Sequence, residues 1–562
     1  MSSLNLLRAY IRNNNIDGYL IPKNDEFFSE NSNTNYLYKI TGFTGSAGLA
    51  LVTLKRNILF VDGRYTLQAH KEAGKKFKII DISKYSIKKI ASSFGDIKIG
   101  FNPKLFTSLF LRTNFKNSNL IPDKNYIFKH SPKINQNNLF YNINTKISGE
   151  TEINKIKKLI SYLKKNRIDN IFISAPENVA WLLNIRGRDS EFSPIPNCQI
   201  ILTKNNKIYF FSNNKKIKNL KKIKLFKKFF YFDTIDFINT IYNLEGKSFI
   251  IDKMTCSNFY ENLIKSKFKI LDYNDPCYNF KSIKNSTEIK NTIKAHEKDG
   301  VALTKFLYWM KNSKERKSEI SAQNILEKYR KKNKNYLYPS FNTISGSGPN
   351  GAIIHYRASK KTNRIIRNKD IYLCDSGGQY KYGTTDVTRT ICFDDPGIKI
   401  KNIFTRVLKG HIAVVCAKLN NYTTGSILDK KARYWLNKVN LDYPHGTGHG
   451  VGYFLNVHEG PQSISKHNRI KLKQGMILSN EPGFYKKNEY GIRIENLIYL
   501  RKNKGNLIFE NLTLAPIDID LINFKILTSL EKKYLSNYHY NIYKKIGQFL
   551  NENEKKWLKN LI

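Results

Sequence analysis

The sequence predicts an α/β chain of the α+β kind: two related α/β domains in tandem, then a larger domain built on paired strands. Three observations carry this. The 562 residues exceed what one hydrophobic core usually serves. The first half holds an internal repeat, in which Arg12-Asn-Asn-Asn-Ile-Asp-Gly-Tyr-Leu-Ile, followed by Asn35-Tyr-Leu-Tyr-Lys-Ile-Thr-Gly, is echoed by Lys165-Asn-Arg-Ile-Asp-Asn-Ile-Phe-Ile-Ser, followed by Asn178-Val-Ala-Trp-Leu-Leu-Asn-Ile-Arg-Gly. The second half carries strand-like segments whose acidic motifs are interrupted by glycine turns.

Along the chain, each repeat copy reads as a helix, a strand beginning near its Ile-Asp pair, a second helix and further strands. The copies are expected to fill residues 1–150 and 151–285. At Ser286-Thr-Glu-Ile-Lys a helix starts with an acid in its first turn, opening a third domain over 286–562 whose last part, about 505–562, is a C-terminal extension.

Formal net charge is +50 and the pI about 9.8, a balance that ordinarily points to nucleic acid or an anionic membrane. The excess is spread along the chain, Lys outnumbers Arg, and Asn, Ile, Tyr and Phe are abundant, so A/T-rich codons are the simpler cause. Even the densest run, Lys215-Lys-Ile-Lys-Asn-Leu-Lys-Lys-Ile-Lys-Leu-Phe-Lys-Lys, spaces Ile217, Leu220 and Ile223 three apart, as a solvated amphipathic segment does. No nucleic-acid partner is expected. No run reaches the roughly 18 apolar residues of a membrane span, and Met1-Ser-Ser-Leu-Asn-Leu-Leu-Arg-Ala-Tyr lacks the apolar core of a secretory signal. A cytoplasmic chain without a membrane partner is the expectation. The cysteines at 198, 256, 277, 374, 392 and 416 are scattered and read as reduced packing residues. Ser345-Gly-Ser-Gly-Pro-Asn-Gly lacks the Gly-Lys-Ser/Thr ending of a phosphate-binding loop, which excludes a nucleotide cradle.

Chemistry concentrates in five residues of the second half, Asp375, Asp386, His449, Glu481 and Glu495. Two hard cations sharing a site repel each other, and several carboxylates must cancel that repulsion; four acids and one imidazole match that need. In Asp370-Ile-Tyr-Leu-Cys-Asp-Ser-Gly-Gly-Gln-Tyr-Lys-Tyr-Gly-Thr-Thr-Asp-Val-Thr-Arg-Thr a strand reaches Gly377-Gly378, turns and returns, so a hairpin brings Asp375 and Asp386 together. Alternation in Tyr490-Gly-Ile-Arg-Ile-Glu-Asn-Leu puts Arg493 and Glu495 on one face, with Arg493 pointing into the acidic site. His449 lies in Pro444-His-Gly-Thr-Gly-His-Gly-Val-Gly, where glycines allow close backbone approach. Glu481 lies in Ser479-Asn-Glu-Pro-Gly-Phe-Tyr, a strand ending at a Pro-Gly turn.

These motifs resemble the metallopeptidases of the creatinase and methionine aminopeptidase type, whose catalytic domain is the pita-bread fold. The flanks extend the resemblance to the three-domain Xaa-Pro aminopeptidase subtype: Asn35-Tyr-Leu-Tyr-Lys-Ile-Thr-Gly-Phe-Thr-Gly-Ser-Ala-Gly and Phe60-Val-Asp-Gly-Arg-Tyr-Thr-Leu-Gln-Ala-His at the front, Leu514-Ala-Pro-Ile-Asp-Ile-Asp and Leu527-Thr-Ser-Leu-Glu-Lys-Lys-Tyr-Leu-Ser-Asn-Tyr-His in the tail. The expected architecture is therefore two tandem creatinase-N-like domains followed by a pita-bread domain.

The resemblance implies hydrolysis of the bond between a first residue and a second-position proline, using two divalent ions. Asp375 would be the terminal ligand of one ion, His449 and Glu481 ligands of the other, and Asp386 and Glu495 the bridges. Glu481 would also shuttle the proton, and His355 (in Gly351-Ala-Ile-Ile-His-Tyr-Arg) and His458 (in Asn456-Val-His-Glu-Gly-Pro) would contact the carbonyl oxygen. His445 would line the substrate pocket or support the ligand loop, and Arg493 would pair with Asp375, with Tyr485 beside it. Oxygen-rich ligation with a single His favours Mn(II), though Co(II), Fe(II) or Zn(II) fit the same ligands. Substrates would be peptides with proline second, and the subtype is often homodimeric. Two rivals stand beside this: a prolidase acting on dipeptides, and a non-enzymatic pita-bread binding module with a basic surface.

Overall fold

The computed structural model describes residues 3–30, 35–123 and 139–562. Met1 and Ser2, which open the segment read above for a secretory signal, lie outside the described residues. The chain divides into two compact units, Met1–Tyr278 and Asn279–Ile562.

The first unit contains the repeat as two six-stranded sheets. In the first sheet β1 (Gly18–Pro22), β2 (Leu49–Thr53), β3 (Asn57–Val61), β4 (Lys78–Asp81), β5 (Lys98–Phe101) and β6 (Asn119–Pro122) are ordered β4-β3-β2-β1-β5-β6. In the second, β7 (Asn170–Ile173), β8 (Gln199–Thr203), β9 (Ile208–Phe211), β10 (Phe230–Phe232), β11 (Ser248–Ile251) and β12 (Lys269–Leu271) are ordered β10-β9-β8-β7-β11-β12. The second order is the first with every strand advanced by six places, and the pairings agree as well. β1 and β7 run antiparallel to the strand that follows each and parallel to β5 and β11.

The repeated Ile-Asp pair has the same function in both copies. Each isoleucine is buried just before the central strand. Each aspartate turns its carboxylate onto the start of the neighbouring parallel strand: Asp17 accepts from the Lys98 amide at 2.8 Å, Asp169 from the Lys247 and Ser248 amides at 2.8 and 3.1 Å. Amides at a strand start lack ladder partners, so a short acceptor placed there fixes register.

The lysine-rich run forms two 3-10 turns, Ile217–Lys222 and Phe226–Lys228, rather than a longer amphipathic helix. At three residues per turn, side chains spaced by three eclipse, so Ile217 and Leu220 bury together while Lys218, Lys221 and Lys222 stay exposed.

In the second unit the expected helix runs Ser286–Asn312, capped reciprocally by Asn285 and Glu288. It packs on helix Glu319–Lys331, and both lie against the sheet Ile344–Ser347, Tyr372–Ser376, Val387–Ile391. A second helix pair, Ile398–Val415 and Gly425–Asn437, covers the five-stranded sheet that contains Gly448–Gly450, Ile477–Asn480 and Asn496–Asn503. The hairpin Gly483–Lys486/Tyr490–Arg493 joins the two halves. Among the described residues five cysteines are buried and Cys416 is exposed; all six are free. Among them too, no helix is long and apolar enough to cross a membrane.

Within the tail, His539 is fully buried and ties its helix, Ser529–Ile546, to the segments before and after it. Its Nε2 accepts from the Ile517 amide at 3.0 Å, and its Nδ1 meets the Leu561 carbonyl at 2.8 Å. Burial opposes a charge on the ring and the nearby Arg389 guanidinium adds to that, against the Leu561 carbonyl, so its pKa falls from 6.5 to about 4. The unfolded chain therefore takes up this proton first. The contribution is complete above about pH 6.5 and is lost as pH falls towards 4, by about 3 kcal/mol in full. Urea unfolding between pH 7 and pH 4 should show that slope in the wild type and a smaller one in His539→Gln; equal slopes would contradict the assignment.

Candidate metal centre

The hairpin expected from the sequence is present. Strands Tyr372–Ser376 and Val387–Ile391 pair antiparallel, with Asp375 opposite Thr388, and Asp386 immediately precedes the return strand. His449 arrives from Gly448–Gly450, Glu481 from the end of Ile477–Asn480, and Glu495 from the break between Tyr490–Arg493 and Asn496–Asn503.

These elements bring the acidic groups and the imidazole together. His449 Nε2 lies 3.4 Å from Asp386 Oδ2 and 3.5 Å from Glu481 Oε1. Asp386, His449 and Glu495 each offer one ligand atom, all within 4.8 Å of one another. Asp375 Oδ2 accepts from Arg493 Nη2 at 2.6 Å, while its Oδ1 is buried without a hydrogen-bond partner. Glu495 Oε2 accepts from Thr388 Oγ1 at 2.8 Å, and Ser479 Oγ donates to Glu481 Oε1 at 3.0 Å.

Close packing of backbone makes this convergence achievable. A Cβ on Gly448 would overlap the Ser479 carbonyl, so only glycine lets the His449 strand approach the one leading to Glu481. Likewise a Cβ on Gly491 would overlap the Gly351 carbonyl; this contact holds the turn Gly348–Ala352, which precedes His355, against the Arg493 strand. His449 Nδ1 lies 2.9 Å from the Gly450 carbonyl. A carbonyl only accepts, so Nδ1 carries the proton and Nε2 is free to face the carboxylates.

The electrostatics are those of crowded anions. Burial and the Asp375 and Glu481 charges push Asp386 up to about 6 against the opposing hydrogen bond from His449. Burial and neighbouring carboxylates raise Glu495 well above its usual range. His449 is lifted to about 9: burial opposes its charge, but the hydrogen bond to Asp386 and the charge of Glu481 prevail. Like-charged carboxylates this close require cations or protons between them. With an orphaned buried oxygen on Asp375 as well, the donor set fits divalent ions that prefer oxygen.

Arg493 continues outward from Asp375. Its Nη1 donates to Tyr485 Oη at 2.7 Å, and Tyr485 Oη lies 2.9 Å from His445 Nε2. Because arginine can only donate, the tyrosine proton points at His445; the other ring nitrogen, Nδ1, meets the Gly446 carbonyl at 2.8 Å. His458 is exposed, and its ring stands edge-on to His449 at 4.2 Å between centroids. His355 is half-buried after its turn.

Two residues escaped the sequence reading. Thr388 donates to Glu495 and accepts from Arg493 Nε at 3.0 Å, thereby joining ligand to arginine. Strand alternation from Asp386 would have placed it on the same face. Arg389, buried on the opposite face, donates to the Glu495 carbonyl at 2.7 Å and to the Ala515 and Pro516 carbonyls, and so ties the tail to the site.

Comparison with known proteins places this geometry. Metallopeptidase family M24 matches residues 290–502 and its C-terminal region 505–561, while the creatinase/prolidase N-terminal domain matches 4–127 and again 130–288. A probable Xaa-Pro aminopeptidase P of Coprinopsis cinerea is 34% identical over 98% of this chain and 96% of its own length. The chain belongs to metallopeptidase family M24. Among solved structures, an X-prolyl aminopeptidase from Caenorhabditis elegans, described as a cytosolic enzyme with a di-nuclear active site, superposes with a TM-score of 0.93 at 28% identity, covering 99% of this chain and 98% of that one. The prolidase from Pyrococcus furiosus, at 27% identity and a TM-score of 0.51, covers 98% of itself but only 63% of this chain. This M24 chain thus has the two-domain front that its sequence repeat predicted, followed by a pita-bread domain.

Proposed function

We propose that this chain is an Xaa-Pro aminopeptidase: it hydrolyses the bond between the first residue and a second-position proline, using two divalent ions. The observation that carries the reading is the full-length likeness to aminopeptidases with this specificity, tandem front included, over a site whose four carboxylates and His449 converge. A prolidase has a counterpart for only part of this chain, and a binding module has no need of the crowded carboxylates.

In this reading Asp375, Asp386, His449, Glu481 and Glu495 would hold the two ions, Asp375 on the side of one, His449 and Glu481 on the side of the other, and Asp386 and Glu495 between them. When bound, the ions supply an acidified water and an electrophile for the scissile carbonyl. Glu481 takes the proton from the attacking water and delivers it to the proline nitrogen, which leaves as a secondary amine and needs that proton. The Ser479 hydroxyl on Oε1 holds its carboxylate in place. His458, exposed beside His449, and His355 donate to the carbonyl oxygen as negative charge develops there. Both ring nitrogens of His445 already have neighbours in Gly446 and Tyr485, so we assign it to positioning Tyr485 and, through Arg493, Asp375.

We further propose Mn(II) as the resident ion, from the oxygen-rich donor set with one imidazole, a cytoplasmic location, a homodimer, and domain limits of 1–150, 151–285 and 286–562. Release of arginine from Arg-Pro-Pro but not from the dipeptide Arg-Pro separates this activity from prolidase. Cleavage of the dipeptide alone would overturn it.

A further inference from the structure

Behind the hairpin that carries Asp375 and Asp386 lies a buried ion pair with no part in the chemistry above. Asp299, on helix Ser286–Asn312, and Arg330, near the end of helix Glu319–Lys331, are 2% and 1% exposed. Arg330 grips the carboxylate bidentately, Nε to Oδ1 at 2.7 Å and Nη2 to Oδ2 at 3.2 Å.

Among the described residues, the further side-chain hydrogen bonds of the pair go to the hairpin. Arg330 Nη2 donates to Ser376 Oγ at 3.1 Å, Tyr380 Oη donates to Asp299 Oδ1 at 2.7 Å, and Thr385 Oγ1 donates to Asp299 Oδ2 at 2.9 Å. Ser376 directly follows Asp375, and Thr385 directly precedes Asp386. Alternation turns neighbouring side chains to opposite faces, so Ser376 and Thr385 reach back to the ion pair while the two acids reach forward to the site. Thr385 also locks the bend, its Oγ1 accepting from the Gly378 amide at 2.9 Å while Ser340 Oγ donates to its carbonyl at 2.8 Å.

Stability alone does not account for such a pair. Desolvating two charges costs about what their attraction returns, and apolar replacements of buried ion pairs are often neutral or stabilising. What an apolar replacement lacks is direction: a carboxylate with four donors in fixed positions sets where each arm lies. We propose that Asp299 and Arg330 are positioning residues which set the separation of Asp375 and Asp386, and with it the affinity of the site for divalent ions. This rests on the two-ion reading above.

The test measures Mn(II) affinity and stoichiometry by competition with a fluorescent chelator, alongside the unfolding midpoint of the metal-free full chain. Variants are Asp299→Asn and Arg330→Lys for the pair, with Thr385→Val and Ser376→Ala as milder changes that each release one arm. Glu531→Gln, at the pair of buried Lys409 and half-buried Glu531 elsewhere in the second unit, controls for general destabilisation. Loss of groups that orient ligands typically costs about 10–100-fold in metal affinity, and we expect that range for Asp299→Asn and Thr385→Val. Glu531→Gln should lower the midpoint and leave affinity unchanged. If Asp299→Asn fails to fold, Thr385→Val decides. A wild type that binds two ions with variants within twofold of it overturns the proposal and leaves the pair a structural element. A wild type that binds none overturns the two-ion reading itself.

Discussion

Asp386→Ala should abolish hydrolysis and leave a protein that no longer holds two ions per chain at metal concentrations that saturate the wild type. Asp386 is 4% exposed, its Oδ2 lies 3.4 Å from His449 Nε2, and it shares a ligand-sized cluster with His449 and Glu495. Groups that merely orient ligands cost about 10–100-fold when removed; a carboxylate shared between two ions costs more, since it both ligates and cancels the repulsion between them. Elemental analysis beside turnover gives the answer. A variant that keeps two ions and near-normal turnover would remove Asp386 from the bridging role.

Glu481→Gln should lower kcat by about 10²–10⁴-fold at saturating substrate, the range for loss of a positioned general acid–base group. The amide keeps a neutral oxygen in a similar position for ligation but cannot accept the proton. Ser479 Oγ can still donate to that oxygen, and the Glu481 amide still reaches the Thr447 carbonyl at 2.7 Å, so the loop should hold its course. Added metal should therefore not restore the rate. Recovery at high Mn(II) would mean that Glu481 acts only as a ligand and that the proton travels by another group.

The local features of this protein were legible in the sequence. Ile16-Asp17 and Ile168-Asp169 lie within the repeated motif itself, which is why the repeat predicted two related α/β domains in tandem. Asp375, Asp386, His449, Glu481 and Glu495 each sit among glycines and alternating strand residues, and the fold brings them together as those contexts imply. Features set by distant residues were not legible. Asp299 and Arg330 are 31 positions apart, and Arg330 meets Ser376 another 46 positions on; neither lies in a motif that marks it. Arg389 reads as one more cation in a basic chain until the Ala515 and Pro516 carbonyls are seen against it. The proton position on His445 depends on Arg493 and Tyr485, which lie 48 and 40 residues away in the sequence. The lysine run read correctly as amphipathic, but its three-residue spacing signalled 3-10 turns.

The specificity is tested most directly by Mn(II)-dependent release of the N-terminal residue from a matched pair, Arg-Pro-Pro and Arg-Ala-Ala, with a metal-stripped control. A peptide bond to proline is a tertiary amide with no N–H, so a protease that aligns its substrate through that donor prefers the alanine peptide, and one built for proline prefers the other. An Xaa-Pro aminopeptidase should release arginine from Arg-Pro-Pro alone, with activity lost on chelation and restored by Mn(II). Equal cleavage of both peptides, or release that survives removal of metal, would contradict it.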